Sequence, residues 1–277
     1  MAQIVGGFIM PHDPLITGNP EIADKTQVAA VEAAFARVVE RVKVLKADTA
    51  IVIGDDHFTM FGPHCLPPYL IGIGDVEGPE ESWLRIERYT VPNNTALAEH
   101  IMNFGFDHGF DWAVAKSLVV DHGTMIPIHK AVTPVPGMRT IPIYTAAGVT
   151  PLLRTKRAKE LGQMIGAAVA AFPGDDRVVV YGTGGISHWV GTAEMGRVNT
   201  DFDQLVLGMV ERGDVDGLVN LSDEYVLEHG GNGALEIRNW IVAMAAMPAT
   251  IRGELFCYEP MPPWITGIGI AELNLAA

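Results

Sequence analysis

The chain has 277 residues, with 33 Asp and Glu against 19 Lys and Arg, a formal net charge of -14. That balance excludes nucleic acid and anionic membrane surfaces as partners, since both need clustered Lys and Arg. Its 48% hydrophobic content excludes wholesale disorder and is enough for the core of a large α/β domain.

The first residues, "MAQIVGGFIMPHDP", carry no basic group ahead of the apolar run, and no apolar stretch reaches the roughly 18–20 residues of a membrane span. The expectation is a protein neither secreted nor inserted in a membrane. Two cysteines, Cys65 and Cys257, make neither a disulfide scaffold nor a zinc knuckle, which points to a reducing cytoplasm. Without repeats, low-complexity tracts or a Ser/Gly linker, a single catalytic domain over 1–277 is expected.

Taken in chain order, short apolar runs bounded by turn residues predict strands: "AQIVGGFI" near the start, "TAIVIG" at 49–54, "YLIGIG" at 69–74, "MRTIPIYT" at 138–145 and "RVVVYGTG" at 177–184. They are continuous rather than alternating, as in strands buried on both faces. Between them, apolar residues at spacings of three and four predict helices over 27–46, 94–108, 155–171, 201–212 and 234–247. This alternation predicts a three-layer α/β/α sandwich around a mostly parallel or mixed sheet, with ligands gathering where strands end.

Four of the nine histidines follow apolar segments: His12 in "FIMPHDPLI", His57 in "GDDHFTMF", His122 in "VVDHGTMIPIH" and His188 in "YGTGGISHW". One such histidine is usually a turn or core residue. Four that can meet at one rim favour a metal or acid/base site, because imidazole is the commonest metal ligand and titrates near neutrality. Two histidines and a carboxylate would leave positions open on a metal, as in non-haem Fe(II) oxygenases. Asp13, Asp55, Asp56 and Asp121 adjoin these histidines and serve equally as partners of the imidazoles or as turn caps. Glu236, behind "EHGGNG" and near the start of an apolar helix, is the other carboxylate, which in isolation reads as a first-turn acid on the helix dipole.

In their order and spacing, "PHDP", "DDHFTMF" with "PPYLIGIGD", "DHGTMIPIH", "GGISHWVG", "NTDFDQLVL" and "GALEIRNW" resemble the class III extradiol ring-cleavage dioxygenases, typified by the catalytic subunit of protocatechuate 4,5-dioxygenase. The resemblance covers nearly the whole chain. It implies a cytoplasmic enzyme of aromatic catabolism that opens a catechol-type ring (protocatechuate-, gallate- or substituted-catechol-like) beside the diol, using O2. It further implies Fe(II) held by His12, His57 and Glu236, with His188 as base and His122 beside substrate or oxygen. Asp55 and Asp56 then become supporting or turn residues. His64, His100, His108, His129 and His229 match no family role, and His129 is the strongest exception.

Arg238 is expected to point away from Glu236 around the helix, while Lys130 and Thr266 are the remaining guesses for a substrate carboxylate. The resemblance implies a small lid subunit or an equivalent segment over the site, and no such extra domain is read within these 277 residues. A partner chain is therefore expected, or a homo-oligomer in which the tail 258–277 helps cover the pocket. Ring cleavage of 2-aminophenol- or hydroxypyridine-type substrates would use the same ligands; a zinc enzyme acting on a catechol amine, and a metal-free binding or scaffold protein of this fold, stand further off.

Overall fold

A computed structural model describes residues 1–248 and 251–275. Its strands are β1 (Gln3–Met10), β2 (Thr49–Gly54), β3 (Tyr69–Gly72), β4 (Val76–Gly78), β5 (Tyr89–Val91), β6 (Ala113–Ala115), β7 (Leu118–Val119), β8 (Arg139–Thr145), β9 (Arg177–Thr183), β10 (Ile251–Met261) and β11 (Thr266–Leu275). The helices are α1 (Leu15–Gly18), α2 (Lys25–Val44), α3 (Thr95–Asp107), α4 (His122–Ala131), α5 (Thr155–Ala171), α6 (Thr200–Arg212), α7 (Val215–Val219), α8 (Asp223–Gly230) and α9 (Ile237–Ala246).

Eight strands form one mixed sheet in the order β10-β11-β1-β9-β2-β8-β3-β6. Its centre, β1, β9, β2 and β8, is parallel, and these strands are the continuous apolar runs of the sequence, buried on both faces. Adjacent residues report the two covering layers. A Cβ on Gly6 would meet Leu45 just past α2, whereas one on Gly7 would meet Met247 just past α9. Likewise the Tyr181 hydroxyl donates to Ala131 O of α4, and its neighbour Gly182 abuts Ala243 of α9. The α/β/α sandwich with a mixed sheet therefore holds.

Local chemistry accounts for the helix boundaries. Asp24 caps α2 by accepting from Thr26 N and Gln27 N, and Asn94, Asn199 and Ser222 cap α3, α6 and α8 in the same way. The apolar stretch from 234 begins differently from the expected single helix. Gly233–Glu236 is a 3-10 turn, and α9 starts at Ile237.

Two features depart from the sequence expectations. His122 does not follow a strand of the main sheet; it lies three residues past β7 and opens α4, whose N-cap is Asp121. Pro127 inside that helix disguised its pattern, because proline lacks the N–H that an interior turn uses. A second sheet, ordered β5-β4-β7, stands apart from the large one. Residues 251–275 form the hairpin β10–β11, which extends the main sheet antiparallel to β1; residues 276–277 lie outside the described range. At the hairpin's turn, Gly267 N donates to Ser187 O and Gly267 O accepts from Ile186 N, so the tail braces the turn that carries His188.

Helices α5 and α9 approach closely through Gly162 and Gly166, where a Cβ would lie 2.3 Å from Val242 O and 2.4 Å from Ala246 O. Backbone oxygens cannot yield as a flexible side chain can. Gly162→Val is expected to cost about 1–3 kcal/mol by overpacking, read as a fall of several degrees in Tm by calorimetry; an unchanged Tm would contradict this packing.

Candidate metal centre and active site

The carboxyl ends of the central parallel strands converge, as strand ends in an open α/β sheet do around a ligand. β1 runs out to His12, β2 to Asp55 and His57, and β9 to the glycine turn before His188. The first turn of α4 contributes His122, and the 3-10 turn that leads into α9 contributes Glu236. All five residues singled out in the sequence thus meet in one place, and His12, Asp55, His57 and Glu236 form a group whose ligand atoms lie within 4.8 Å of one another.

Glu236 is at the middle. Its Oε2 accepts from Gly185 N at 2.9 Å and lies 3.2 Å from His12 Nε2. Its Oε1 lies 3.6 Å from His57 Nε2 and 3.5 Å from His188 Nε2. Only Gly fits the turn opposite: Gly184 has φ +137°, and a Cβ there would stand 2.8 Å from the Glu236 carboxylate.

Each imidazole is fixed from its far side. His12 Nδ1 donates to Thr183 Oγ1 (3.0 Å), whose hydroxyl in turn donates to Ile53 O. His57 Nδ1 donates to Asp121 Oδ2 (2.9 Å), His188 Nδ1 to Ile186 O (3.1 Å) and His122 Nδ1 to Glu81 Oε1 (2.6 Å). With Nδ1 spent, the Nε2 atoms of His12, His57 and His188 are left to face Glu236. Outer partners of this kind set tautomer and ring angle in metal sites. The His122 ring stacks on His57 at 4.0 Å between centroids.

The electrostatics follow from burial opposed by opposite charge. Burial alone would raise the Glu236 carboxyl, but His12 and His188 hold it well below the usual range. Burial would lower His12 and His188, and Glu236 reverses both; for His57, burial is overcome chiefly by Asp121. His122 goes the other way, lowered by burial and by His57. Burial pushes Asp55 up to about 6 and Asp13 up to about 7.

Two atoms mark the centre as suited to a cation. His12 Nε2 and Asp55 Oδ2 are buried without a hydrogen-bond partner, and the first already faces a carboxylate. Neutral imidazole nitrogens and carboxylate oxygens are borderline-to-hard donors that suit first-row divalent metals.

The other acids divide by role. Asp56 closes its own turn by accepting from Thr59, Met60 and Phe61 N, and Asp13 caps the start of α1 through Leu15 N. Asp55 is held toward His12 at 3.8 Å, with Asn239 Nδ2 donating to its Oδ1. Arg238 is fully buried and spent on Leu153 O, Leu235 O and Asp223, turned from the site as its helix position required. Lys130 pairs with Glu32 of α2, and Thr266 is buried near the Gly185 turn. His129 lies against Tyr89, His100 bonds Ala168 O, and His108 stacks on Phe104, all outside the cluster. Thr183, Asn239 and Glu81 were not anticipated. Thr183 and Asn239 had no flag in sequence, and the one sign for Glu81 was its place among acids in "EGPEESW".

Comparison with known proteins identifies the family. Residues 6–269 match the family model described as the catalytic LigB subunit of aromatic ring-opening dioxygenase. Proteins named 2,3-dihydroxyphenylpropionate/2,3-dihydroxicinnamic acid 1,2-dioxygenase are similar over most of their length. The one from Rhodococcus jostii is 25% identical, covering 95% of this chain and 96% of its own. That from Photorhabdus laumondii is 26% identical, covering 94% of both. The fold recurs in an uncharacterized protein of Escherichia coli K12, with TM-score 0.62, 11% identity and coverage of 97% of this chain and 99% of that one. The chain therefore belongs to the LigB family, and it is an extradiol aromatic ring-cleavage dioxygenase.

Proposed function

We propose that this enzyme opens a substituted catechol next to its diol, with Fe(II) held by His12, His57 and Glu236, His188 as the base and His122 beside the reacting ring. The single observation that supports this most is the convergence of three Nε2 atoms on one buried carboxylate, with every Nδ1 already bonded elsewhere. The relatives' names, which specify a catechol bearing a three-carbon acid, favour a ring with a side chain over plain catechol.

When bound, Fe(II) supplies Lewis acidity, a template for two adjacent ring oxygens and a path for electrons between ring and O2. The protein does the rest. His188 Nε2, with its Nδ1–H committed to Ile186 O, is oriented to take a phenolic proton and to return it as the ring opens. A Cβ on Gly185 would stand 2.9 Å from the His188 ring and one on Gly233 2.0 Å from its Nε2, so glycine at both positions lets the backbone pack directly against the imidazole. His122, stacked on His57 and kept neutral by burial and by its neighbour, offers a polar atom without adding charge. Asp121 and Thr183 hold the two ligand imidazoles at fixed angles, so little reorganisation remains when substrate arrives.

Purified protein reconstituted with ferrous ion is expected to bind about one iron per chain and to consume O2 with 2,3-dihydroxyphenylpropionate, giving a yellow ring-opened product. No uptake with any catechol under reducing, iron-replete conditions would contradict the reading. His57→Ala should lose iron and activity together, whereas His188→Ala should keep iron and lose about 10²–10⁴-fold in kcat; iron analysis beside an oxygen electrode separates the two, and full activity with bound iron in His57→Ala would refute the ligand set. Because His12 and His57 hold protons more firmly than free imidazole, a cation must displace them. Loading should therefore weaken as pH falls through their raised pKa values, so iron per chain after equilibration at pH 6 should be below that at pH 8; equal loading would contradict it.

A further inference from the structure

The second sheet has no part in the mechanism so far, yet it carries a carboxylate to the active site. β4 pairs parallel with β7 through Val76 to Leu118 and Glu77 to Val119, which ties it to the residues just before Asp121 and His122. Glu80 N donates to Val120 O and Val120 N to Glu77 O. Beyond β4 the chain makes a short 3-10 turn, Ser82–Leu84, in which Leu84 is fully buried and the Trp83 ring lies against Gly18, 2.7 Å from where a Cβ would be. Glu81 begins that turn. Its Oε1 accepts from His122 Nδ1 at 2.6 Å and from His122 N at 3.2 Å, and its Oε2 is buried without a partner.

Asp121, the nearest acid in sequence, cannot do this for His122. Its Oδ1 takes Gly123 N at the start of α4, and its Oδ2 takes both His57 N and His57 Nδ1. The two stacked imidazoles therefore need two carboxylates, and the second comes from 41 residues away. The arginines of the same segment pair with other acids: Arg85 with Glu21, and Arg88 with Glu77 and Glu80. Glu81 is left for the histidine.

We infer that Glu81 is a positioning residue for the ring-cleavage reaction: carried by the small sheet, it holds His122 with Nδ1 protonated and its ring stacked on that of His57. The inference rests on the role proposed above for His122. It differs from a merely structural contact because Glu81 would affect turnover only through the His122 imidazole, so its removal should lower kcat only where that imidazole is present.

A double-mutant cycle on the iron-loaded enzyme reads this directly. Glu81→Ala should lower kcat by about ten- to a hundredfold, with KM, iron content and Tm at the wild-type level. His122→Ala should also lower kcat, and the double variant should be no slower than His122→Ala alone. Glu81→Gln, which keeps the side-chain shape and one acceptor oxygen, should fold as the wild type does and fall between wild type and Glu81→Ala in kcat. The inference is overturned if Glu81→Ala keeps full kcat, if the two losses multiply, or if iron and Tm fall in proportion to kcat in both Glu81 variants. Those results would leave the ring-cleavage reading standing, whereas wild-type enzyme that cleaves no catechol would remove that reading and this inference with it.

Discussion

A carboxylate buried as deeply as that of Glu236, 3% exposed, remains an anion only where positive charge or strong donors meet it. Here it meets one backbone N–H and three imidazole Nε2 atoms, from His12, His57 and His188. Much of the surrounding structure answers that requirement. The glycine at 184 exists to let the carboxylate in, and the 3-10 turn at Gly233–Glu236 sets it at the mouth of α9. Thr183, Asp121 and Ile186 turn the imidazoles so that each offers the same nitrogen. Taking away the opposing charge would leave an uncompensated buried ion, which is among the most costly defects a core can carry.

Topology makes this convergence possible. Parallel strands end on the same side of a sheet, so residues far apart in sequence arrive together: His12 after β1, His57 after β2 and His188 after β9. The rigid centre of the sheet supplies metal-type donors from strand ends, while helix N-termini bring Glu236 and His122. A site distributed over five elements is held at fixed geometry by the same buried aliphatic packing that holds the sheet, which favours preorganised chemistry over induced assembly. The β10–β11 hairpin adds a second use of the same sheet, since its turn clamps the Ile186–Ser187 backbone that aims His188.

Much of this is legible in the sequence. The strands were visible because a segment buried on both faces must be continuously apolar, and "TAIVIG" and "RVVVYGT" are. His12, His57, His122 and His188 stand out because histidines after apolar runs are few and chemically conspicuous, and Glu236 because it follows "EHGGNG" at the start of an apolar helix. Spacing alone left their roles open, and only resemblance to a family gave them. What was hidden lies in side chains whose partners are remote. Thr183 reads as the last residue of a strand, Asn239 as a polar residue in an apolar helix, and Glu81 as one acid in "EGPEESW"; none has a local pattern that reveals its contact. Asp55 was set aside as a turn or supporting residue, and it lies 3.8 Å from His12 with an unpartnered oxygen, closer to the centre than its neighbour Asp56. α4 was missed for a different reason, since Pro127 breaks the pattern a helix is recognised by.

The central claim is that the Glu236 carboxylate serves a metal rather than a proton network. Equilibrium iron binding by wild type and by Glu236→Gln, which preserves shape and removes the charge, measures this most directly. The account predicts about one ferrous ion per wild-type chain and an affinity for the variant lower by at least about tenfold, with the fold intact by circular dichroism. A Glu236→Gln protein that bound iron as tightly as wild type would contradict it.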